Sequence, residues 1–235
     1  MRRAFSCGMV SHSLVQIRSP MAYRQTERVV RKLAARREAI LAAAYDTLAE
    51  KGIAAVQIVP VAERAGIAAG TVYRYFPSKT ELVAAVVADL AGEEIAAIER
   101  AAASAPGSLS ALAAAIGTFA MRAMARRRLV LALTAEPSEP ELSEALASYR
   151  KTLAAKLEEL MRKALDSGQL QQQDAALAAP AVIGALIEGL LGPLAPAAAP
   201  ANEMRAQAQR LTLFALRALG VADARARGLV VQMVT

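Results

Sequence analysis

Apolar residues recur every three or four positions along most of the chain, and this spacing predicts amphipathic helices. The first predicted helix spans residues 28–51, with basic side chains opposite its apolar face and Gly52 just past its end. Turn-forming residues, chiefly Pro, Gly and Ser, interrupt the pattern further along. These breaks predict longer helices at residues 109–133, 141–166, 174–191 and 202–219, and the residues after Val221 read as a frayed tail.

Two short helices are predicted between the first helix and the longer ones. They cover residues 58–65 and 68–76 and are joined by a tight turn at Ala65-Gly66-Ile67. We expect the small residues of this turn to let the two helices cross closely, in the plan of a helix-turn-helix. The segment from Ser78 to Glu81 then has the Ser-x-x-Glu pattern of a capping box, which predicts the start of a fourth helix.

The composition indicates an all-α fold without a disulfide framework. Hydrophobic residues form 55% of the 235-residue chain but aromatic residues only 4%, and much of the apolar share is Ala and Leu, which favour helices. Because Cys7 and His12 are the single cysteine and histidine, a Cys-rich zinc site and most His-based catalysis are excluded. The sequence also lacks a phosphate-cradling Gly-rich motif, and we expect no enzyme, no metal and no cofactor.

Positive charge is concentrated at the N-terminal end of the chain. Residues 1–40 hold nine Lys or Arg against two Glu, and the remaining residues are neutral overall. This asymmetry indicates contact with a polyanion, nucleic acid before membrane, and the alternative is a solvated basic tail. We expect residues 1–27 to be a flexible basic arm that either enters a minor groove of DNA or acts as a nonspecific electrostatic tether.

No segment of the sequence reads as a signal peptide or a membrane span. Polar residues interrupt the first twenty positions, so a cytoplasmic location is expected, and Met21 is an alternative start of the native chain. The apolar run at residues 175–201 is long enough to cross a bilayer, but several prolines break it. A buried helix at a protein interface explains this run better than a membrane segment does.

Small, apolar and aromatic residues at fixed spacing between Arg37 and Leu82 resemble the DNA-binding domain of the TetR/AcrR-type transcriptional regulators. The matching residues are Ile40, Ala43, Ala44, Gly52, Val61, Ala62, Ala65, Gly66, Ile67, Gly70, Thr71, Val72, Tyr73, Tyr75, Phe76, Ser78, Lys79, Glu81 and Leu82. The resemblance implies a three-helix DNA-binding domain at residues 28–80, a helical effector-binding and dimerisation domain at 81–220, and a C-terminal tail at 221–235. It also implies a repressor that binds a palindromic operator as a homodimer and is released by a small molecule.

In a helix-turn-helix the exposed residues near the start of the third helix read the major groove. Val72 and Phe76 share a face that we expect to pack inward with Ala62, Ala65 and Gly66. Arg74 is the candidate for a bidentate contact with guanine, and a phosphate contact is the alternative. The tyrosines and Lys79 suit phosphate contacts, although a core role remains open for the tyrosines. The residues expected at the DNA are Gln57, Ala68, Ala69, Gly70, Thr71, Tyr73, Arg74, Tyr75 and Lys79.

The sequence departs from the family at two helix starts. Thr or Ser usually precedes the second helix and Ser the third, whereas Gln57 and Ala68 stand at these positions here. Neither residue is a good N-cap. We therefore expect the backbone N–H groups at both helix starts to be available to a phosphate.

The resemblance further implies a ligand pocket and a dimer interface among the C-terminal helices. The candidates for the pocket, which suit a filled core equally well, are Phe119, Met121, Met124, Leu131 and Tyr149. The candidates for an interface built from two helices of each subunit, with an ordinary core as the alternative, are Ala181, Gly184, Ala185, Glu188, Leu211 and Phe214. The run Arg126-Arg127-Arg128 reads as a solvated face.

The expected partners are double-stranded operator DNA, a largely apolar small molecule and a second copy of the chain, with no membrane. The alternative is a helical scaffold protein without sequence-specific DNA binding. A scaffold would need neither the polar and aromatic cluster from Tyr73 to Lys79 nor a strongly basic first helix.

Overall fold

The fold is helical throughout the part of the chain that the structure describes. This computed structural model describes residues 20–127, 140–192, 195 and 200–232, and the prediction of an all-α protein is confirmed. A short 3₁₀ turn at Ile53–Ala55 follows the first helix. The helices are α1 (Pro20–Lys51), α2 (Ile58–Arg64), α3 (Ala69–Tyr75), α4 (Lys79–Ala103), α5 (Ser108–Ala125), α6 (Pro140–Asp166), α7 (Ala175–Leu191), α8 (Ala201–Ala218) and α9 (Asp223–Gln232).

The chain divides into two compact units, residues 1–39 and residues 40–235. In the first unit the described residues belong to α1, which begins at Pro20, whereas the sequence pattern places its start at Arg28. Proline is tolerated at the first helical position because its missing N–H has no partner there in any helix. Residues 27–39 are all exposed, so the basic side chains of this segment face solvent.

The second unit contains two hydrophobic cores. The small core joins the end of α1 to α2, α3 and the start of α4, with Leu142 of α6 packed against them. The large core joins the end of α4 to α5, α6, α7, α8 and α9. Both cores consist largely of Ala, Leu, Val and Ile at helical spacing, which is the burial that the sequence pattern predicts.

The predicted helix ends agree with the structure where local signals mark them. Gly52 follows α1 with φ of 80°, and its N–H donates to the Leu48 carbonyl at 3.0 Å. The Ser78 hydroxyl accepts from the Glu81 N–H at 3.1 Å and caps α4. These positions depend on backbone conformation and short-range hydrogen bonds, which the adjacent residues determine.

Asp223–Gln232 form helix α9, so the prediction of a frayed tail is wrong for this part of the C-terminal segment. Ala226 and Val230, four positions apart, are buried in the large core. At the start of the helix, the Asp223 carboxylate accepts hydrogen bonds from Arg227, at 2.9 Å, and from Arg217. These two hydrogen bonds hold the pKa of Asp223 below its usual value. Burial of one helical face, rather than propensity, explains why this short segment is ordered.

Among the described helices, α5 has the length and apolar composition that a membrane crossing requires. Half of its residues are buried within the fold, and a core helix of a water-soluble domain meets the same criteria. The apolar run identified from the sequence forms α7, which covers only Ala175–Leu191, and Pro180 lies within it.

Candidate functional site

The turn between α2 and α3 is a Schellman motif centred on Gly66. Gly66 has φ of 65°, and the Ile67 N–H reaches back to the Ala62 carbonyl at 2.9 Å. A Cβ added at Gly66 would meet no atom within 4 Å. The expectation that this glycine permits a close helix crossing is therefore wrong, because the residue is needed for its left-handed backbone conformation.

Helix α3 divides into a buried and an exposed face. Val72 is fully buried and Phe76 is 4% exposed, and both belong to the small core with Ala62. Tyr73 and Arg74 follow Gly70 by three and four positions and lie with it on the opposite side of the helix. All three are exposed, Tyr73 by 51%. This division follows the helical period, so the residues expected to pack inward and those expected to face a partner are separated.

The other residues expected at the DNA lie around this face with different exposure. Gln57 and Ala68 are exposed, whereas Ala69, Thr71 and Lys79 are half-buried. Tyr75 is half-buried and packs against the small core, so part of its side chain contacts the core and part is exposed to solvent. Ala65, expected in the core, is also half-buried against it.

Val59 was not identified from the sequence, and it lies on α2 with 53% of its surface exposed. The helical period of α2 predicts this exposure, because Ile58, Val61 and Ala62 form the buried face and Val59 lies outside it. One exposed valine is ordinary on a protein surface, so Val59 by itself does not mark a binding site.

The cations around α2 and α3 differ in whether they are already paired. The Arg64 guanidinium donates to Glu50 at 2.8 Å and lies 3.7 Å from Asp46, which attaches α2 to α1. This hydrogen bond lowers the pKa of the Glu50 carboxyl. Arg74 forms no ion pair with any residue in the described ranges, so its charge remains available to an external anion.

A cavity of about 100 Å³ lies beside α4, α5, α6 and α7, and we call it the central cavity. Its walls are mainly apolar and include Val87, Leu90, Phe119, Leu146, Ile187 and Leu191. Val87 belongs to the small core, and Leu90 and Leu146 pack against that core. The central cavity therefore shares its walls with the core that holds α3.

Charged side chains line one part of the central cavity. The Glu94 carboxylate is only 13% exposed and accepts from Arg122 Nε at 2.6 Å and from Arg126 Nη1 at 2.9 Å. The hydrogen bond with Glu94 raises the pKa of Arg122. Burial raises the pKa of the Tyr149 hydroxyl well above its usual value, so this group stays protonated and can donate a hydrogen bond.

Comparison with known proteins addresses the segment that carries the helix-turn-helix. Residues 40–86 match the family model described as bacterial regulatory proteins, tetR family. A segment of 53 residues is 49% identical to the HTH-type transcriptional repressor KstR of Rhodococcus jostii (strain RHA1). Residues 40–86 therefore have the sequence pattern of the tetR family. The matched segment covers 23% of this chain and about a quarter of KstR, at 25% of its length.

Solved structures extend the likeness of fold to most of the chain. FadR of Bacillus halodurans, a fatty acid degradation regulator, superposes with a TM-score of 0.65 at 21% identity, covering 80% of this chain and 97% of FadR. RolR bound to resorcinol superposes with a TM-score of 0.61, also at 21% identity, covering 86% of this chain and 95% of RolR. At this identity the comparison establishes that the chain has the fold of these regulators.

The pocket residues named from the sequence are divided among several places in the fold. Phe119 and Tyr149 line the central cavity. Met121 lines a second cavity, of about 610 Å³, that includes Leu229 of α9, while Met124 is buried in the large core. Leu131 lies outside the described residues. The charged residues of the central cavity were missed, although Arg122 and Arg126 stand four apart in an otherwise apolar helix.

The arginine run at the end of α5 is not simply a solvated face, as the sequence suggested. Arg126 donates to Glu93 and Glu94, and its guanidinium lies 5.9 Å from the centroid of the Tyr45 ring in α1. Arg127 donates to the Leu190 carbonyl of α7. Arg128 lies outside the described residues. These contacts attach the end of α5 to three other helices, α1, α4 and α7.

The residues expected at a dimer interface form an exposed face on α7 and α8. Ala181, Gly184 and Glu188 are exposed, and Ala185 is half-buried. Phe214 is 54% exposed, while Leu211 is half-buried and packs against Gly189 of α7. Leu177, 70% exposed on α7, is a further apolar residue that the sequence analysis missed.

The described residues contain no group of three or more His, Cys, Asp or Glu side chains that could hold a metal ion. The candidate site, as far as the structure describes the chain, consists of the exposed face of α3, the central cavity and the apolar surface on α7 and α8.

The start of α3 generates a prediction about stability. Ala68 has the extended backbone of an N-cap, with φ of −63° and ψ of 137°, but it provides no side-chain hydrogen bond. We expect Ala68→Ser to stabilise the free protein by about 1 kcal/mol, because its hydroxyl can accept from an N–H in the first turn. Thermal or urea unfolding measures the change. An unchanged or lower melting temperature would contradict the prediction.

Proposed function

We propose that this protein is a sequence-specific DNA-binding transcriptional regulator, a repressor that binds a palindromic operator as a homodimer and is released by a small molecule. The proposal is carried by the exposed face of α3, where Gly70, Tyr73 and Arg74 stand on a helix-turn-helix of the tetR family. It assigns the protein to the cytoplasm, where operator DNA is found, and gives it no catalytic role.

The exposed face of α3 suits the major groove in shape and charge. Gly70 has no side chain, and a Cβ there would meet no atom within 4 Å, so packing within the chain does not require a glycine. A glycine in a helix costs roughly 0.5–1 kcal/mol relative to alanine. We infer that Gly70 serves the close approach of the helix to DNA, beside Arg74 at guanine or phosphate.

The residues around this face would position the helix on the DNA backbone. The Tyr73 and Tyr75 hydroxyls, Thr71 and Lys79 suit phosphate oxygens. The backbone N–H groups after Gln57 and Ala68 have no side-chain cap, and we expect them to bind phosphate as well. Ala69 keeps the start of α3 small. The exposed basic side chains of α1 between residues 28 and 37 would add sequence-independent attraction, which weakens as salt rises.

A second copy of the chain is the proposed partner of the exposed face on α7 and α8. Leu177 and Phe214 are large apolar side chains on neighbouring helices, and the small Ala181 and Gly184 lie exposed between turns of α7. A two-fold axis would pair this face with itself and produce a four-helix bundle. A dimer of this kind presents two α3 helices to successive major grooves.

The central cavity is the proposed effector site. Its walls include residues that also support the small core, so a molecule that expands the cavity would displace α4 and with it the base of α3. Release requires the ligand to bind more tightly to the conformation that DNA disfavours. The structural neighbour RolR holds resorcinol, which supports a small-molecule effector for this fold.

Selection from a random double-stranded DNA library tests the function without knowledge of the operator. We expect repeated rounds of binding to enrich a sequence with two inverted half-sites, because a two-fold dimer reads the same bases twice. Binding to the enriched site should weaken as salt rises. If a folded dimer enriches no sequence, the scaffold alternative is favoured instead.

Replacement of Gly70 separates DNA reading from helix stability. Gly70→Ala should stabilise the free protein by roughly 0.5–1 kcal/mol, since alanine is the better helix former. The same methyl group should weaken binding to the enriched DNA site by about tenfold, which corresponds to roughly 1.4 kcal/mol. Fluorescence anisotropy and thermal unfolding measure the two effects.

Gly92→Ala is the matched control for this experiment. Gly92 is exposed within α4, and a Cβ there also meets no atom within 4 Å. The Gly92→Ala substitution should stabilise the protein by a similar amount and leave its affinity for DNA unchanged. Equal DNA affinities for Gly70→Ala and the native protein would refute a close approach at this position.

The dimer face yields a prediction about assembly. Phe214→Glu should weaken dimerisation by at least about a hundredfold, because a buried Phe contributes roughly 1.5–3 kcal/mol and each two-fold interface contains it twice. Analytical ultracentrifugation measures the equilibrium. Val231→Glu is the control, since Val231 is 67% exposed but lies on α9 and not on α7 or α8. Identical behaviour of the two variants would argue against the face.

A further inference from the structure

We propose that the central cavity binds an apolar carboxylate, with its hydrocarbon part among the apolar walls and its carboxylate at the arginines of α5 and α6. The inference rests on the proposed function in so far as this ligand would be the effector. It goes further by naming the chemical class of the molecule, which the charges and the size of the cavity indicate.

The apolar part of the cavity limits the hydrocarbon part of the ligand. The volume of about 100 Å³ accommodates a group near the size of a benzene ring or a short alkyl chain. Phe119, Leu146, Ile187 and Leu191 surround this space with aromatic and aliphatic carbon. Burial of such a group against these walls supplies the non-directional part of the affinity.

The charged part of the cavity has more cations than anions. Arg122, Arg126 and Arg150 line it, and Glu94 is the carboxylate among its lining residues. Glu93 takes one further hydrogen bond from Arg126 at 2.9 Å and still leaves an excess of positive charge. The described residues at this cavity therefore attract an anion.

Arg150 is the cation best placed to meet the ligand. It is exposed on α6, one position after Tyr149, and forms no ion pair with any residue in the described ranges. Arg122 and Arg126, by contrast, are both engaged by Glu94. A planar guanidinium can hold a carboxylate through two parallel hydrogen bonds, which favours this head group over a neutral one.

Tyr149 supplies a neutral donor at the same place. Its hydroxyl lies within the electrostatic influence of Glu94, Arg122 and Arg126. A tyrosine is protonated at neutral pH, and burial raises the pKa of Tyr149 further. A protonated phenol can donate to a carboxylate oxygen without adding a second charge. The side chains around the charged end thus combine cations with a fixed donor.

A cationic ligand fits this site poorly. Glu94 Oε1 already accepts from Arg122 Nη2 at 3.0 Å and Arg126 Nη1 at 2.9 Å, and Oε2 accepts from Arg122 Nε at 2.6 Å. An ammonium group would have to displace a guanidinium from this carboxylate while lying beside the other arginines. The displaced guanidinium, only about a third exposed, would lose its partner.

Isothermal titration calorimetry with two sets of isosteric probes tests the inference. One set is hexanoate, hexanamide and hexylamine, and the other is benzoate, benzamide and benzylamine. We expect at least one carboxylate to bind at millimolar concentration and to bind at least about tenfold more tightly than its amide and its amine. Arg150→Gln should weaken carboxylate binding by about tenfold or more.

Lys151→Gln is the matched control, because it removes the same charge from the adjacent exposed position of α6 without touching the cavity. It should leave carboxylate binding unchanged. Absence of binding by both carboxylates, an amide or amine that binds as tightly as the carboxylate of its set, or equal effects of the Arg150 and Lys151 variants would overturn the inference.

DNA binding by the same preparations separates this inference from the proposed function. A protein that binds its enriched DNA site but neither carboxylate would remain a regulator with a different ligand class. A protein that binds the carboxylates through Arg150 but selects no DNA sequence would retain the ligand class and lose the proposed function.

Discussion

Helix α4 is buried in both hydrophobic cores of the larger unit, and the rest of the site depends on this shared packing. Leu82 and Val86 near its start belong to the small core that holds α3, while Ile98 near its end belongs to the large core. An uninterrupted helix of 25 residues bends little, so its two ends cannot move independently. Any displacement at the central cavity must therefore be accommodated by one core or the other, which is the physical basis for coupling this cavity to α3.

Between these two cores α4 carries a carboxylate in a mostly apolar environment. Glu94 tolerates this position because Arg122 and Arg126 donate to both of its oxygens. Such a partly buried carboxylate is costly without its partners, so the position of Glu94 in α4 depends on the two arginines. Arg126 extends the contact to the Tyr45 ring of α1, and the polar cluster thereby joins α4, α5 and α1.

Helix α3 is short and depends on tertiary contacts for its stability. Seven residues are too few for a stable isolated helix, and the residue before it provides no side-chain cap. Burial of Val72 and Phe76 and the Schellman turn at Gly66 compensate for this within the domain. The same arrangement leaves Gly70, Tyr73 and Arg74 exposed on the outer face of α3.

The sequence by itself determined the helical fold, the helix-turn-helix, and the ends at Gly52, Gly66 and Ser78, because helical period, left-handed glycines and N-caps depend on neighbouring residues. It also separated Val72 and Phe76 from the exposed positions of α3, and it named Phe119 and Tyr149, which line the central cavity. Tertiary structure alone decided that Arg122 pairs with Glu94, 28 residues away, that Met124 fills a core, and that α9 is ordered. These outcomes depend on which helices lie side by side, and charge pairing, cavity walls and burial follow from contacts that no local pattern encodes.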